Sequence, residues 1–421
     1  MHLLSNTVRD YAWGSTTAIA ELLGRDPSGR PEAELWIGAH PDAPSRPLDD
    51  PDGSSLTELI DADPAGALGA ASIEAFGPRL PFLLKVLAAE SPLSLQVHPR
   101  LDQAKAGFAA EEAAGVSRTA PHRNYKDDNH KPEMVFALTP FDALTGFRAP
   151  AESAALFERL TGLLAGSEAA EVTEQVAELL RTPDEAEALS AAFARLINGG
   201  PDVRSCVDAA AAAIAAAGGA ARDDAALATV ADLAAAYPSD PGVLLSLMLN
   251  RVSLAPGEAL YLPAGNVHAY LRGLGIEVMA ASDNVLRGGL TPKHVDIPEL
   301  LRTVVFEAPG IPRLAAQESA LGQELYRPPF EEFQLQRIDV PGAPGAGAAP
   351  EPVPVAQTGA AVVLVVRGSL TLDTPKGDLV LSRGDSAFIP DSESPALAHA
   401  GSDGVLAFAV TTGLGPASGL A

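Results

Sequence analysis

The sequence predicts a mainly β protein with an inserted α-helical domain and two jelly-roll β-sandwich domains. Short apolar or alternating runs, separated by Pro, Gly and Asp, predict strands towards both ends of the chain. Apolar residues at helical spacing predict helices between them. Two similar stretches, LAPGEALYLPAGNVH (254–268) and LSRGDSAFIPDSESP (381–395), indicate that one sandwich unit occurs twice.

These patterns divide the chain into three predicted domains. Residues 1–149 and 251–312 are predicted to form one discontinuous sandwich domain, because runs such as PFLLKVLAA and GIEVMAA are typical of buried strands. Residues 150–250 are predicted to be the helical insert, with Pro or acidic residues near helix starts and Gly after several ends. Residues 313–421 are predicted to be the second sandwich. A helix near 102–115 and a Pro/Gly/Ala-rich loop at 341–355 are also expected.

Composition excludes several classes of protein. The 421 residues carry a formal charge of −25, and an acidic surface disfavours binding to nucleic acid or to anionic membranes. Cys206 is the single cysteine, so a disulfide framework is excluded. The N-terminus reaches Arg9 and Asp10 before any long apolar run, unlike a signal peptide. We therefore expect a cytoplasmic protein that makes no contact with membranes.

The hexapeptide LSLQVH (93–98) alternates apolar and polar residues without interruption. Because successive side chains of a strand point to opposite faces, Ser94, Gln96 and His98 are predicted to share one face. A hydroxyl, an amide and an imidazole are unusual choices for a strand face that meets only solvent. The pattern therefore raises the question of what Gln96 and His98 face.

A second pattern, Gly257-x5-Pro263-x-Gly265-x2-His268, resembles the second motif of the cupin superfamily. Pro263 and Gly265 are expected to turn the chain tightly, and His268 to begin the next strand facing the barrel interior. The later copy of the motif has Ser392 and Pro395 where the first has Gly265 and His268. The C-terminal jelly roll is therefore expected to be degenerate and to have lost any such site.

The resemblance to cupins implies that further metal ligands come from an earlier hairpin. Gln96 and His98 lie two apart on the predicted strand face, and Glu133 follows in DDNHKPEMVF. With His268, these residues supply two imidazoles, one carboxylate and one amide oxygen to a divalent metal. A dication with a single anionic ligand keeps a net charge of about +1 and remains a strong Lewis acid.

Longer motifs resemble the type I mannose-6-phosphate isomerase family. They are YAWGS, AELWIGAHP, PLSLQVHP, YKDDNHKPEM, FDALTGFR and YLPAGNVHAYLRGLGIEVMAASDNVLRGGLTPKHVD. The resemblance implies an isomerase of carbohydrate metabolism that interconverts mannose 6-phosphate and fructose 6-phosphate, with one Zn²⁺ per chain. It places the four metal ligands on Gln96, His98, Glu133 and His268, and the catalytic arginine on Arg287.

The residues also indicate how the substrate is handled. Proton transfer between C1 and C2 needs a base and stabilisation of an enediol-like charge. Glu277 is the predicted base and Lys131 a further catalytic candidate, while His130 and Asp283 are candidates for orienting the metal ligands. Candidates for contact with the sugar phosphate are Ser94, Lys85, Lys293, Trp13, Glu34 and Asp283. A small-molecule partner and a monomeric chain are expected.

Two other functions remain open from the sequence. A cupin oxygenase could hold Fe(II) with two histidines and a carboxylate, although the lysines near the motifs favour a phosphorylated substrate. A non-catalytic cupin that binds sugar phosphates would not require Arg287 together with a complete ligand set. Oxygen uptake that depends on iron would indicate the first, and tight binding without turnover the second.

Overall fold

Strands and short helices alternate in the first third of the chain. The computed structural model describes residues 1–50, 52–342 and 350–415, so part of the predicted Pro/Gly/Ala loop, 343–349, lies outside the described residues. The first elements are β1 (His2–Ser5), β2 (Thr7–Arg9), α1 (Ala18–Leu22), β3 (Glu34–Ile37), β4 (Arg46–Pro47), α2 (Leu56–Ala62), α3 (Pro64–Leu68), α4 (Ala70–Phe76), β5 (Phe82–Ala89), β6 (Gln96–Val97), α5 (Leu101–Ala113), β7 (Glu133–Ala137) and β8 (Phe141–Phe147).

Helices follow, in the segment where the sequence predicts them. They are α6 (Pro150–Leu163), α7 (Ala169–Leu179), α8 (Glu185–Ile197), α9 (Pro201–Ala217), α10 (Gly219–Arg222), α11 (Ala225–Ala236) and α12 (Gly242–Leu245), with a 3₁₀ turn at Ser246–Met248. Proline begins α6 and α9, where a missing N–H is tolerated. The side chains of Asp184 and Asp224 cap α8 and α11 by accepting backbone N–H groups. Among the described residues, the helices lack the combination of length and apolar character that a membrane span requires.

Strands predominate again from residue 249 onwards. They are β9 (Leu249–Leu254), β10 (Ala259–Leu262), β11 (His268–Ala280), β12 (Leu286–Arg287), β13 (Arg313–Leu314), β14 (Gln317–Glu318), β15 (Glu324–Tyr326), β16 (Gln334–Pro341), β17 (Val353–Pro354), β18 (Ala361–Thr374), β19 (Gly377–Ser382), β20 (Ser386–Ile389) and β21 (Leu397–Thr411), with helix α13 (Ile297–Thr303) after β12 and a 3₁₀ turn at Asp391–Glu393.

Within the described residues, the strands form two antiparallel sheets. The eleven-stranded sheet has the central order β13-β10-β7-β11-β5-β3-β2, and it also contains β6, β8, β9 and β12. The ten-stranded sheet has the order β14-β15-β16-β21-β18-β20-β1-β4, with β17 and β19 attached. Strand β8 pairs directly with β9, so the helices α6–α12 leave and re-enter the first sheet between neighbouring strands. The molecule is therefore a mixture of helices and two antiparallel sheets.

The N-terminal strand joins the sheet that is formed mostly by the C-terminal third of the chain. In β1, His2 lies opposite Phe388 and Leu3 opposite Ala387 of β20, while Leu4 lies opposite Pro47 of β4. The sequence analysis predicts that residues 1–149 belong to the first sandwich. Strands β1 and β4 lie in this range but pair within the ten-stranded sheet. The short run HLLS carries no local pattern that distinguishes one sheet from the other, so tertiary contacts decide its place.

One apolar core lies between the two sheets. Phe136 of β7 packs edge-on against Phe408 of β21 with ring centroids 5.0 Å apart, and against Tyr326 of β15 at 5.2 Å. A second core packs the helices against the strands around β6 and β12, and it includes Leu95, Val97 and Leu286. Because both cores reach the strands that carry polar site residues, those strands are held from two sides.

The predicted strand over LSLQVH is shorter than expected. Only Gln96 and Val97 form regular strand pairs, with Arg287 and Leu286 respectively. The alternation nevertheless holds, since Leu95 and Val97 are fully buried in the helical core. The backbone N–H of Leu95 donates to the carbonyl of Gly289, so the extended chain continues irregularly beyond the strand. The short length reflects a partner strand, β12, of only two residues.

Candidate active site

Three side chains that are far apart in sequence meet in the first sheet. His98 follows β6, Glu133 begins β7 and His268 begins β11. Register brings them together, because Leu262 at the end of β10 lies opposite Glu133, and His268 lies opposite Gln96. The Nε2 atoms of both histidines are 3.3 Å from carboxylate oxygens of Glu133, and all three residues are almost completely buried. They form a group able to hold a metal ion.

The turn before His268 requires glycine. Gly265 has a φ of +79°, and a Cβ atom there would lie 2.3 Å from Cγ2 of Val305. Its backbone N–H donates to the carbonyl of His98 over 2.9 Å. The pattern Pro263-x-Gly265 predicts the turn, and this hydrogen bond links it to the backbone of His98.

The outward nitrogen of each histidine is already engaged. Nδ1 of His98 donates to the carbonyl of Asn284 over 2.7 Å, and Nδ1 of His268 donates to the carbonyl of Asn266 over 3.0 Å. Both Nε2 atoms are then lone-pair acceptors in the neutral ring. Among the described residues, these two atoms and Oε2 of Glu133 are buried without a hydrogen-bond partner. Three buried acceptors that face one another fit a cation and little else.

Electrostatics keep the cluster in its metal-binding form. The pKa of His98 is lowered to about 4, because burial and the positive charge of Lys131 outweigh the opposing effect of Glu133. Burial raises the pKa of Glu133, but Lys131 and His98 outweigh it and hold the pKa well below its usual range. The ammonium of Lys131 lies 2.9 Å from Glu133. At neutral pH the imidazole of His98 is therefore neutral and the carboxylate of Glu133 is ionised.

The metal-binding group lies beside a cavity of about 520 Å³ that Glu133 lines. The sequence-predicted residues that line the cavity are Trp13, Glu34, Lys85, Ser94, Gln96, Lys131, Glu277, Asp283, Arg287 and Lys293. Of the sequence-predicted site residues, only His98, His268 and His130 do not line the cavity, and the first two contact Glu133, which does. Residues that the sequence reasoning did not assign to the site also line it, among them Arg9, Tyr11, Trp36, Lys126 and Tyr270. Of these, Tyr11, Trp36, Lys126 and Tyr270 lie inside the motifs that resemble the isomerase family, so membership in a motif was a signal that could have identified them.

A buried charge network lies on one wall of the cavity. Lys85 of β5 stands opposite Glu277 of β11, and its ammonium is 3.1 Å from Glu277 and 3.5 Å from Glu34. Burial lowers the pKa of Lys85, but the two carboxylates more than compensate, so its pKa lies above the usual range. Burial raises the pKa of Glu277, and nearby Glu133 and Glu34 add to this effect against Lys85. Glu277 is thus a carboxylate with a raised pKa in a cavity wall.

Arg287 lines the cavity, and no carboxylate of the described residues pairs with it. Burial lowers the pKa of its guanidinium, which still remains charged at neutral pH. Within the described ranges, neither Arg287 nor Lys126 nor Lys293 makes an ion pair with a carboxylate. Lys126, Arg287 and Lys293 line the same cavity, and burial together with the charges of Arg287 and Lys126 lowers the pKa of Lys293. Such a group is suited to an anion.

Two residues predicted to orient the metal ligands have other partners. His130 contacts Glu332, in the C-terminal third of the chain. Asp283 lines the cavity, but its carboxylate is 3.3 Å from Nε2 of His40 and 3.2 Å from Arg118. Burial raises the pKa of Asp283, yet its hydrogen bond and charge interaction with His40 hold it below its usual range. The backbone carbonyls of Asn284 and Asn266 orient the histidines instead, a role that side-chain identity in a sequence does not reveal.

Comparisons with known proteins find relatives over nearly the whole chain. The sequence model of the family "Phosphomannose isomerase type I, catalytic domain" matches residues 1–150 of the chain. The chain is 43% identical over 398 residues to mannose-6-phosphate isomerase of Escherichia coli K12, covering 94% of this chain and 96% of the relative. It is 32% identical over 423 residues to mannose-6-phosphate isomerase of Homo sapiens, covering 94% of each.

Solved structures give the same result over nearly the whole chain. A mannose 6-phosphate isomerase bound with zinc and yttrium superposes with a TM-score of 0.83 at 40% identity, over 97% of this chain and 98% of that one. A variant of phosphomannose isomerase from Salmonella typhimurium superposes with a TM-score of 0.86 at 39% identity, over 98% and 100%. The chain belongs to the type I mannose-6-phosphate isomerase family.

Proposed function

We propose that the protein is a metal-dependent aldose–ketose isomerase that interconverts mannose 6-phosphate and fructose 6-phosphate. The observation that carries the proposal is the group of three buried, unpartnered acceptors beside a cavity that also holds Arg287. Family membership supports the same activity. An oxygenase would have no use for the group of unpaired cations in the cavity, and a mere binding protein would not need a base such as Glu277.

The ligand set proposed for the metal is Gln96, His98, Glu133 and His268, with one Zn²⁺ per chain. Gln96 lies opposite His268 in register and lines the cavity, which supports its inclusion. A divalent metal held there would polarise the carbonyl and hydroxyl oxygens of the sugar. Because Glu133 is the single anion of the set, the bound metal would keep a net charge of about +1.

The protein's own residues move the proton. In our proposal Glu277 removes the proton from C2 of the open-chain aldose and returns it to C1, while a hydroxyl proton passes from O2 to O1. The reaction gains and loses no atoms, and it runs through an enediol-like intermediate. Arg287 stabilises the charge that develops on the oxygens. Lys131, paired with Glu133, adds a second fixed positive charge on the same side.

The phosphate is proposed to lie against the unpaired cations. Seven arginines and lysines line the cavity against five carboxylates, although the chain as a whole carries a charge of −25. Lys126, Lys293 and the hydroxyl of Ser94 are the proposed contacts. Lys85 was a candidate for this role from the sequence, but its ammonium is engaged by Glu277 and Glu34. We therefore propose that Lys85 controls the charge of Glu277, and that Trp13, Glu34 and Asp283 shape the wall.

The wider organisation belongs to the same proposal. We infer that the two sheets are cupin-like jelly rolls, with 1–149 and 251–312 as the catalytic domain, 150–250 as a helical insert and 313–421 as a degenerate copy. The equivalent glycines Gly257 and Gly384 both have positive φ and both precede a four-residue strand, which supports a repeated unit. A monomeric, cytoplasmic enzyme without nucleic-acid partners is consistent with the charge and with the single cysteine.

One experiment tests the activity directly. Purified protein is analysed for metal content, and fructose 6-phosphate formation from mannose 6-phosphate is followed before and after treatment with a chelator. We expect about one equivalent of metal, isomerisation in its presence, loss of activity on removal and recovery on adding Zn²⁺. Metal-loaded protein that does not isomerise the sugar would refute the proposal. Oxygen consumption that depends on iron would indicate the oxygenase instead.

The role of Glu277 predicts the pH dependence of the reaction. A base must be ionised, so kcat/KM should fall as the pH drops through the pKa of Glu277, which burial raises above that of an ordinary glutamate, about 4.3. Glu277→Gln should lower kcat by about 10²–10⁴ and remove this acidic limb. The measurement is the pH profile of kcat/KM, with metal content determined at each pH because protonated histidine releases metal.

A matched control separates this effect from a general change of charge. Glu318→Gln alters an exposed glutamate of β14 by the same atoms and should leave the profile unchanged. If Glu277→Gln keeps the metal and retains both the activity and the acidic limb of the wild type, Glu277 is not the base.

A further inference from the structure

A single buried asparagine joins the metal cluster to the loop that carries Lys126. The backbone carbonyl of Asn284 accepts the Nδ1–H of His98 over 2.7 Å. Its side-chain oxygen accepts the backbone N–H of Lys126 over 2.7 Å. Its side-chain nitrogen donates to the carbonyl of Asn129 over 2.8 Å. The residue is fully buried, so water cannot replace these bonds without a change in the fold.

Neighbouring residues reinforce the connection. The carboxylate of Asp127 accepts the hydroxyl of Ser282 over 2.7 Å and the backbone N–H of Asp283 over 2.7 Å. The amide of Asn284 also donates to the backbone carbonyl of Asp127 over 2.8 Å. The segments 126–129 and 282–284 are therefore joined by several hydrogen bonds into one unit.

Both sides of this unit reach the reacting groups. The segment 126–129 presents Lys126 to the cavity and continues within a few residues to Lys131 and Glu133. The segment 282–284 orients the imidazole of His98 and leads directly into β12, which carries Arg287. A shift of Asn284 would therefore turn a metal ligand and displace a cation of the cavity together.

We propose that Asn284 is a positioning residue that couples retention of the metal to binding of the phosphate group of the substrate. The inference rests on the proposed function, because it takes the metal ligands and the phosphate site from it. Coupling of binding free energies is reciprocal, so if the bound metal tightens phosphate binding, bound phosphate tightens the hold on the metal by the same factor.

The test measures how fast the metal leaves the folded holoenzyme. Protein loaded with Zn²⁺ is mixed with excess chromogenic chelator, with inorganic phosphate or with chloride of equal ionic strength. For the wild type, phosphate is expected to slow the release of metal by about fivefold or more, because the low end of typical coupling is about fivefold in affinity and affinity differences lie mostly in the dissociation rate. For Asn284→Ala, release in chloride should be about 10- to 100-fold faster, and the effect of phosphate should fall below about twofold.

A matched variant controls for the loss of a buried amide. Gln336 is also buried, and its side chain donates to the carbonyl of Pro354 and accepts the N–H of Ala356 in the second sheet. Gln336→Ala should lower the melting temperature but leave metal release, and its response to phosphate, as in the wild type. If Asn284→Ala behaves like Gln336→Ala, its role is structural and the proposal fails.

A second variant covers the case in which Asn284→Ala does not fold. Asn284→Asp keeps the size and the acceptor for Lys126 but turns a second oxygen towards the carbonyls of Asp127 and Asn129. Like Asn284→Ala, it should release metal faster than the wild type, and phosphate should slow that release less. A wild-type protein whose metal release ignores phosphate refutes the coupling outright. None of these measurements needs turnover, so failure of the isomerase assay with the coupling intact would reject only the proposed reaction.

Discussion

Replacing His98 with alanine is expected to remove the metal and the isomerase activity together, while the fold survives. His98 supplies one of three buried acceptors that converge on a single point. Without its Nε2 atom, metal affinity should fall by more than about 100-fold. Loss of a residue that only hydrogen-bonds to a ligand usually costs about 10- to 100-fold. Metal analysis after gel filtration, steady-state rates and the far-UV circular dichroism spectrum together measure the outcome.

Survival of the fold follows from where His98 is attached. Its neighbour Val97 is fully buried in the helical core, and the carbonyl of His98 remains bonded to Gly265. The matched control is His399→Ala, which removes a half-exposed histidine of β21 near Asp373 and should retain metal and activity. A His98→Ala protein that holds one equivalent of metal and turns over normally would show that His98 is not a ligand.

Replacing Arg287 with alanine is expected to keep the metal and to lower kcat by about 10²–10³. The guanidinium is half-buried in the cavity wall and has no acidic partner within the described residues, so its charge is available to the substrate. Arg287 is absent from the ligand set, and its backbone pairs with that of Gln96 whatever its side chain. Metal analysis and steady-state kinetics on the same preparation separate the two effects.

Two further variants sharpen this result. Arg287→Lys keeps the charge but not the planar fork of donors, so it should recover only part of the rate. Arg367→Ala removes an exposed arginine from β18 and should change nothing in the kinetics. Loss of the metal in Arg287→Ala would contradict the assigned role, because it would make the residue part of the metal site.

The contrast between these two variants defines the site. The proposed metal ligands, of which Gln96 and Glu133 line the cavity, are expected to determine whether a metal is present. Another group, in the cavity wall, is expected to determine what happens to the sugar. Asn284 connects the two groups, and its variants should therefore change both metal release and the response to phosphate.

Some features were predictable because they depend on local pattern. Proline at the start of α6 and aspartate before α8 mark helix beginnings in the sequence, and the structure has helices there. The pair Pro263 and Gly265 indicates a tight turn, and the positive φ of Gly265 confirms it. These signals act within a few residues, so they can be read without knowledge of the rest of the chain.

Other features depended on contacts between distant segments. The strand over 93–98 was expected to be longer, but its length is limited by the two-residue partner β12. His130 was a candidate for orienting a ligand, yet Glu332 of a distant segment is its partner. A polar side chain bonds to whichever group lies within reach, and sequence alone does not specify that group.

The sequence by itself determined which chemical groups are available: an amide, two imidazoles, a carboxylate and an arginine, placed in motifs typical of one isomerase family. Only the tertiary structure decided that the Nε2 atoms of His98 and His268 lie 3.3 Å from the carboxylate of Glu133. It also decided that Lys85 lies between Glu277 and Glu34. The physical reason is register. Local periodicity places a side chain on a face, whereas antiparallel pairing between distant strands determines which side chains on that face become neighbours.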